Sequence, residues 1–386
     1  MKKYMLIAGS LVLLLVALAA CQTEPEIAPT VESQAVGPEI SLTTAPPEEV
    51  ERALYRAEPY FIGAAFPLAL EFGPDGSLWY GEKNGGIRRI TPDGQLVPQP
   101  IFTFPVDTSG ERGLMNFTLD PNFAENGYLW AFYTANDALV NRIGRITVVD
   151  DVGSDLQIAF EAPIAFETST ILNGGGLSFG PDGMLYIGIG STNNVFASNE
   201  PYSPQGKIHR VTPTIPALPA PGNPEPDSTI YARGFRNAFG MAFDPYTGRL
   251  WVTENGGDCD DELNVVYAGD DAGWHINGEC IDNALPPDYP YAPPVLYYTP
   301  PISPTGITIY NGDLFPEYQG DILFCSWHGA RMIRVKLQEG SDRLIKTTDL
   351  LETAPFDCRL DVVTGPDGAI YYSDITSIYR LVRNDP

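Results

Sequence analysis

The residues best placed for chemistry lie between Tyr231 and Asn264, in the run YARGFRNAFGMAFDPYTGRLWVTENGGDCDDELN. Arg236 and Asn237 precede one apolar stretch. A Gly256-Gly257 turn and four carboxylates, Asp258, Asp260, Asp261 and Glu262, follow the next. Proton transfer needs a different kind of group, and the chain has only 3 histidines. His209, in Lys207-Ile208-His209-Arg210, reads as a structural strand residue, and His275, after Trp274, as a loop-packing one. His328, beside Trp327, is the candidate for acid–base work. The aromatic faces of Trp274, Tyr310 and Trp327, with the carboxylate of Glu111, suit a carbohydrate, although aromatics in such a chain also fill space between sheets. No G-x-S-x-G elbow, Walker loop or dinucleotide fingerprint supports a hydrolase or nucleotide reading.

What must position these groups is a repeated hairpin. Leu250, Trp251, Val252 and Thr253 alternate after the turn Asp244-Pro245-Tyr246-Thr247-Gly248, the period of a strand rather than a helix. The same unit appears as FGPDGSLWYGEKNGGIRRI from Phe72, LDPNFAENGYLWAFYT from Leu119, FGPDGMLYIGIG from Phe179, FDPYTGRLWVTE from Phe243 and TGPDGAIYYSDITSIYRL from Thr364. A degenerate copy starts at Ile307, with Phe-Pro-Glu-Tyr-Gln-Gly as its turn. Each unit has an apolar face it cannot bury alone, so radial stacking of six units, an all-β six-bladed β-propeller, is the expected fold. Two packed β-sandwiches would not repeat one turn six times. Helical signals are scarce, because 36 prolines and 38 glycines interrupt almost every candidate window.

Within this frame the run from Tyr231 resembles the soluble glucose and sorbosone dehydrogenases, the pyrroloquinoline quinone (PQQ) dependent aldose dehydrogenases. A G-x-R-N segment and a later T-E-x-G-P-x-x-D-D-E-[LI]-N segment stand there in this order. The second is matched at Thr253, Glu254, Gly256, Asp260, Asp261, Glu262, Leu263 and Asn264. The resemblance implies a propeller that oxidises a sugar and passes electrons to PQQ, with calcium polarising the quinone. It assigns Arg236 and Asn237 to the quinone, and the carbonyls of Gly256 and Gly257 to calcium. Glu262 and Asp282 would hold a second, structural calcium, an ion that takes six to eight oxygen ligands. Glu111, His328 and Arg359 fall at or beside further cofactor positions, and Tyr310 is placed with them.

The departures fall on the catalytic residues. The family histidine that acts as general base is Leu172 here, in Leu172-Asn173-Gly174-Gly175-Gly176-Leu177, and its aspartate partner is Ser191. Glutamine has become Glu111, lysine His328, and a late R-x-R-D-V segment leaves Arg359 between Cys358 and Leu360. Leucine takes no proton, and loss of a general base is worth about 10² to 10⁴ in rate. Besides a drifted dehydrogenase, the sequence therefore admits a non-catalytic, calcium-stabilised propeller that binds a glycan or a protein at the cell surface. A calcium-dependent propeller hydrolase would need a central cage of Glu, Asn and Asp side chains, which the inner strand starts do not show.

The remaining signals concern location. Residues 1–20 carry Lys2, Lys3 and an apolar run ending Leu18-Ala19-Ala20-Cys21, which resembles a bacterial lipobox with Cys21 as the lipidated residue. Residues 21–50, rich in Pro, Thr and Glu, read as a tether that holds the domain, 51–386, roughly 30 to 80 Å from the lipid. The expected address is a membrane-anchored lipoprotein facing the periplasm or the exterior. A net charge of −26, or −28 without the leader, gives no basic field for nucleic acid. Of the 5 cysteines, Cys259, Cys280, Cys325 and Cys358 remain, which allows three pairings. The expected pairs are Cys259 with Cys280, closing the acidic loop, and Cys325 with Cys358, linking the last two units. The identity of the sugar, the electron acceptor and the oligomeric state are not legible in the chain.

Overall fold

The computed structural model describes residues 55–384, apart from 195, 275–279, 281–289 and 352. Cys21, His275, Asp282 and the two N-terminal segments lie outside the described residues. Six four-stranded antiparallel sheets form a six-bladed β-propeller. After β1 (Tyr55–Ile62), blade 1 is β2 (Pro67–Phe72), β3 (Leu78–Glu82), β4 (Gly86–Ile90) and β5 (Phe102–Thr103). Blade 2 is β6 (Leu114–Leu119), β7 (Tyr128–Thr134), β8 (Val140–Val149) and β9 (Val152–Pro163). Blade 3 is β10 (Gly174–Phe179), β11 (Leu185–Ile189), β12 (Lys207–Val211) and β13 (Ile230–Arg233). Blade 4 is β14 (Ala238–Phe243), β15 (Leu250–Glu254), β16 (Asp261–Val266) and β17 (Leu296–Tyr298). Blade 5 is β18 (Pro304–Ile309), β19 (Ile322–Ser326), β20 (Met332–Leu337) and β21 (Ile345–Leu351). Blade 6 holds β22 (Val362–Thr364), β23 (Ile370–Ser373) and β24 (Ser377–Arg383), and β1 pairs with β24 to complete it. The ring is thus closed by hydrogen bonds between the two ends of the described chain.

The repeated turn has a physical cause. In Gly-Pro-Asp-Gly the aspartate accepts from the backbone two residues on, as Asp75 does from Ser77 N at 3.0 Å and Asp182 from Met184 N at 3.0 Å. Its other oxygen reaches an arginine on the third strand: Asp75 to Arg89 at 2.5 Å, Asp182 to Arg210 at 2.9 Å. The first glycine is required because an aromatic from the second strand lies over it. A Cβ there would sit 2.8 Å from Trp79 at Gly73, 2.6 Å from Tyr186 at Gly180 and 2.3 Å from Tyr371 at Gly365. Turn, aromatic and arginine form one unit that sets the hairpin register. Between blades the space is filled by fully buried aromatics such as Trp130, Tyr133 and Trp251.

Two features of the inner strands bear on function. Five of them are bulged close to their first residue, between Pro67/Ala69, Leu114/Asn116, Gly174/Gly176, Ala238/Gly240 and Pro304/Ile307. Such bulges re-aim side chains at the rim of a sheet. Polar groups also pass from one blade to the next around an axial cavity of 190 Å³. Asp361 accepts from Leu70 N at 2.7 Å, and Glu71 accepts from Leu119 N at 3.1 Å. Both carboxyls face the cavity away from bulk water, and burial pushes Glu71 up to about 8 and Asp361 up to about 7.

Candidate functional site

A pocket of 570 Å³ opens on the face where the inner strands begin, within the size range of small-molecule sites. The starts of inner strands and the ends of second strands meet there, bringing Arg236 and Asn237 to one wall with Asn255, Gly256 and Gly257. One guanidinium nitrogen of Arg236, Nη1, donates to Asn255 O at 3.0 Å and to Gly256 O. The ring of Trp274 lies 5.5 Å from the same guanidinium. Burial opposes charge on Arg236, and the carboxylates of Glu254, Asp261 and Glu111 favour it. Asn237 braces the wall, its Oδ1 accepting from Gly174 N at 2.9 Å and its Nδ2 donating to Asn255 Oδ1 at 2.8 Å.

The loop behind this wall is held from two sides. Asp261 accepts from Gly256 N at 2.8 Å, Ile302 N at 2.6 Å and Ser303 N at 2.5 Å, bonds that favour the carboxylate against a burial effect that pushes its pKa up. On the blade 3 side the fully buried Lys207 donates to the carbonyls of Ala197, Ser198 and Gln205 at 2.7, 2.9 and 3.0 Å. Three acceptors call for the ammonium, although burial pulls its pKa down to about 7. Ser198 Oγ in turn donates to Phe235 O at 2.6 Å, so Lys207 acts on the backbone just before Arg236.

Several residues singled out in the sequence are brought to this pocket: Glu111, Leu172, Trp327 and His328, besides the Arg236 and Gly256 wall. His328 is exposed at the rim, its Nδ1 3.1 Å from Ser303 Oγ. Leu172 is buried, and its N–H donates to Glu111 Oε2 at 2.8 Å. Glu262 does not line the pocket. It is buried opposite Glu254 in the β15–β16 pairing, and Asn264 donates to it at 2.8 Å. Burial and the neighbouring Glu254 carboxyl push it well above its usual value. Glu254 Oε2 is buried without a hydrogen-bond partner among the described residues.

Two placements need correction. Tyr310 follows the far end of β18 and is fully buried, its hydroxyl donating to Gly368 O at 2.6 Å and accepting from Phe315 N at 2.9 Å. It belongs to the core between blades 5 and 6. Arg359 does not line the pocket either. Its guanidinium is held by Asp357 at 2.8 Å and by Trp327 O at 3.0 Å, behind the Trp327 ring. His209 is structural as expected, bonded to Thr229 Oγ1 and Pro204 O at 2.8 Å each, and burial lowers its pKa to about 4. Both expected disulfides form, with Cα–Cα distances of 5.8 Å for Cys259–Cys280 and 5.1 Å for Cys325–Cys358.

Lys83 and Phe66 also line the pocket, and sequence reading gave neither a role in it; Asp261, one of the four carboxylates after the Gly256-Gly257 turn, lines it as well. A signal for Lys83 existed. Leu78-Trp79-Tyr80-Gly81-Glu82-Lys83 aligns with Leu250-Trp251-Val252-Thr253-Glu254-Asn255, so blade-to-blade comparison puts Lys83 at the position of Asn255.

The donor set fits a flat, multiply anionic ligand beside a hard cation. Lys83 and Arg236 supply positive charge, and the carbonyls of Asn255 and Gly256 already converge on one cationic nitrogen. Comparison with known proteins gives the same direction. The chain is 30% identical over 410 residues to an uncharacterized protein of Synechocystis, with 95% of each chain covered. It is 26% identical over 344 residues to the aldose sugar dehydrogenase YliI of Escherichia coli, covering 83% of this chain and 90% of that one. The PQQ-bound form of an aldose sugar dehydrogenase from Streptomyces coelicolor matches with a TM-score of 0.71 at 26% identity, covering 88% of this chain and 100% of that one. A family model described as Glucose / Sorbosone dehydrogenase matches residues 64–381, nearly the whole ring of blades, and this chain belongs to that family.

Proposed function

We propose that this chain is a PQQ-dependent sugar dehydrogenase of the cell surface, in which the histidine base of the family has been replaced by Leu172. The observation that carries the reading is the convergence of the Asn255 and Gly256 carbonyls on Arg236 Nη1 in the pocket wall. That arrangement offers a cation two carbonyl ligands, with Gly257 adjacent, and sets a guanidinium beside it for an anionic cofactor. Bound PQQ would supply the two-electron oxidation of a sugar C–OH group. Arg236 and Lys83 would hold its carboxylates, Asn237 would fix the wall, and Trp327 with Phe66, 5.9 Å apart between ring centroids, would shield the mouth from water. A second calcium at Glu262, beside the unpartnered Glu254 Oε2, would relieve two buried carboxyls of shared protons. Lipidation of Cys21 would tether the enzyme outside the cytoplasm.

Titration of the 51–386 domain with PQQ, in calcium and again in chelator, tests the reading. Calcium-dependent binding at micromolar concentration or tighter supports it, and screening of aldoses with an artificial electron acceptor follows. Absence of binding by folded, calcium-loaded protein refutes it. The apolar Leu172 then favours the second reading, a non-catalytic propeller that recognises a glycan or protein.

A further inference from the structure

We propose that Glu111 is the general base of this site, an inference that rests on the sugar-dehydrogenase reading above. Oxidation at a sugar C–OH needs a proton acceptor in the pocket wall, and three residues there offer one: Asp261, His328 and Glu111. Asp261 is committed, because three backbone N–H groups occupy its carboxylate. His328 has its Nδ1 engaged with Ser303 Oγ at 3.1 Å. Glu111, exposed to the pocket mouth like His328, differs in how it is held. Its Oε2 accepts from Leu172 N at 2.8 Å, while Oε1 has no hydrogen-bond partner among the described residues.

The segment that carries Glu111 is held rigidly, as a base must be. Glu111 N donates to Thr170 O at 2.8 Å. The buried Arg112 donates to Glu167 O at 3.1 Å, to Ser169 O at 2.9 Å and to Asp107 at 2.7 Å. The carboxylate is therefore fixed on the backbone of 167–172, beside the apolar side chain of Leu172 and close enough to Arg236 to favour its charge. A pocket with a carboxylate on one side and a guanidinium on the other matches the charge flow of the reaction. Glu111 Oε1 takes the proton of the C1 hydroxyl as the C1 hydride, with its electron pair, leaves for a quinone-class oxidant. The C1–O bond becomes C=O, giving a lactone, and the proton on Glu111 balances the two-electron, two-proton reduction.

The test compares parent, Glu111→Gln and Glu111→Asp, with calcium and PQQ present. Glutamine keeps an acceptor for Leu172 N, so the wall stays folded, and the aspartate variant keeps the carboxylate as a second check. The expected result is that E111Q binds PQQ within about threefold of the parent by calorimetric titration while kcat for an aldose falls about 10² to 10⁴-fold. E111D retains a larger share of the rate than E111Q. Adding Leu172→His to E111Q restores at least about tenfold by placing an imidazole at the same wall. A PQQ-bound E111Q that turns over within about threefold of the parent overturns the role of Glu111 and leaves the dehydrogenase reading standing. A parent protein that binds no PQQ overturns that reading, and the role of Glu111 with it.

Discussion

The guanidinium of Arg236 and the backbone carbonyl of Gly256 are hydrogen-bonded partners across the mouth of blade 4. A cation bound at that carbonyl competes with the arginine for it. Arg236→Ala should therefore act with opposite signs on two ligands, tightening calcium several-fold by removing a like charge and weakening PQQ by about tenfold or more. Separate calorimetric titrations read the two effects. A change in tryptophan emission on adding calcium to the parent should accompany them, because Arg236 lies over Trp274.

Lys207 should prove a positioning residue. Replacing it by methionine takes the donor from Gln205 O and one of two donors from each of Ala197 O and Ser198 O, at a cost of about 1 to 3 kcal/mol in urea unfolding. The same variant should weaken PQQ binding, because the loop it holds carries the Ser198 bond to Phe235, next to Arg236.

The axial carboxyls predict a pH dependence. Burial raises Glu71 to about 8 and Asp361 to about 7, well above the values these groups take in an unfolded chain. Groups raised in this way contribute stability fully below their unfolded values and lose it as pH rises through the folded ones. The thermal midpoint should therefore fall by a few degrees between pH 5 and pH 8 and level off above that. Glu71→Gln and Asp361→Asn should each flatten the slope in scanning calorimetry.

The Cys325–Cys358 bridge closes a loop with a sequence separation of 33 and ties blade 5 to blade 6. Loss of it through the double serine variant should cost about 3 to 4 kcal/mol. The Cys259–Cys280 bridge, with a separation of 21, should cost slightly less and change PQQ binding more, because its loop begins beside Gly257.

The fold was legible because one local unit, glycine, aspartate, aromatic and arginine, solves the same packing problem in successive blades. Gly73 under Trp79 and Gly180 under Tyr186 leave the same trace in the sequence. The site was legible where residues sit beside a recognisable turn, as Arg236 and Gly256 do. It was not legible where the answer depended on which end of a strand faces the pocket. Tyr310 and Ser303 flank the same strand, β18, yet Ser303 lines the pocket and Tyr310 lies in the core at the other end. Alternation tells the two faces of a strand apart and says nothing of its two ends. Arg359 failed for another reason: a nearby acid, Asp357, and the Trp327 carbonyl claimed its guanidinium.

The seam between β1 and β24 governs the order of assembly. Glu58 and Arg380, joined across it, are 322 residues apart in the chain. Blades 1 to 5 are each contiguous in sequence and can form as their residues become available. Blade 6 waits for the last strand of the ring, and until then β1 is an unpaired edge. During synthesis the molecule passes through an open arc, and only a chain that has delivered Ser377–Arg383 can lock its own beginning in place.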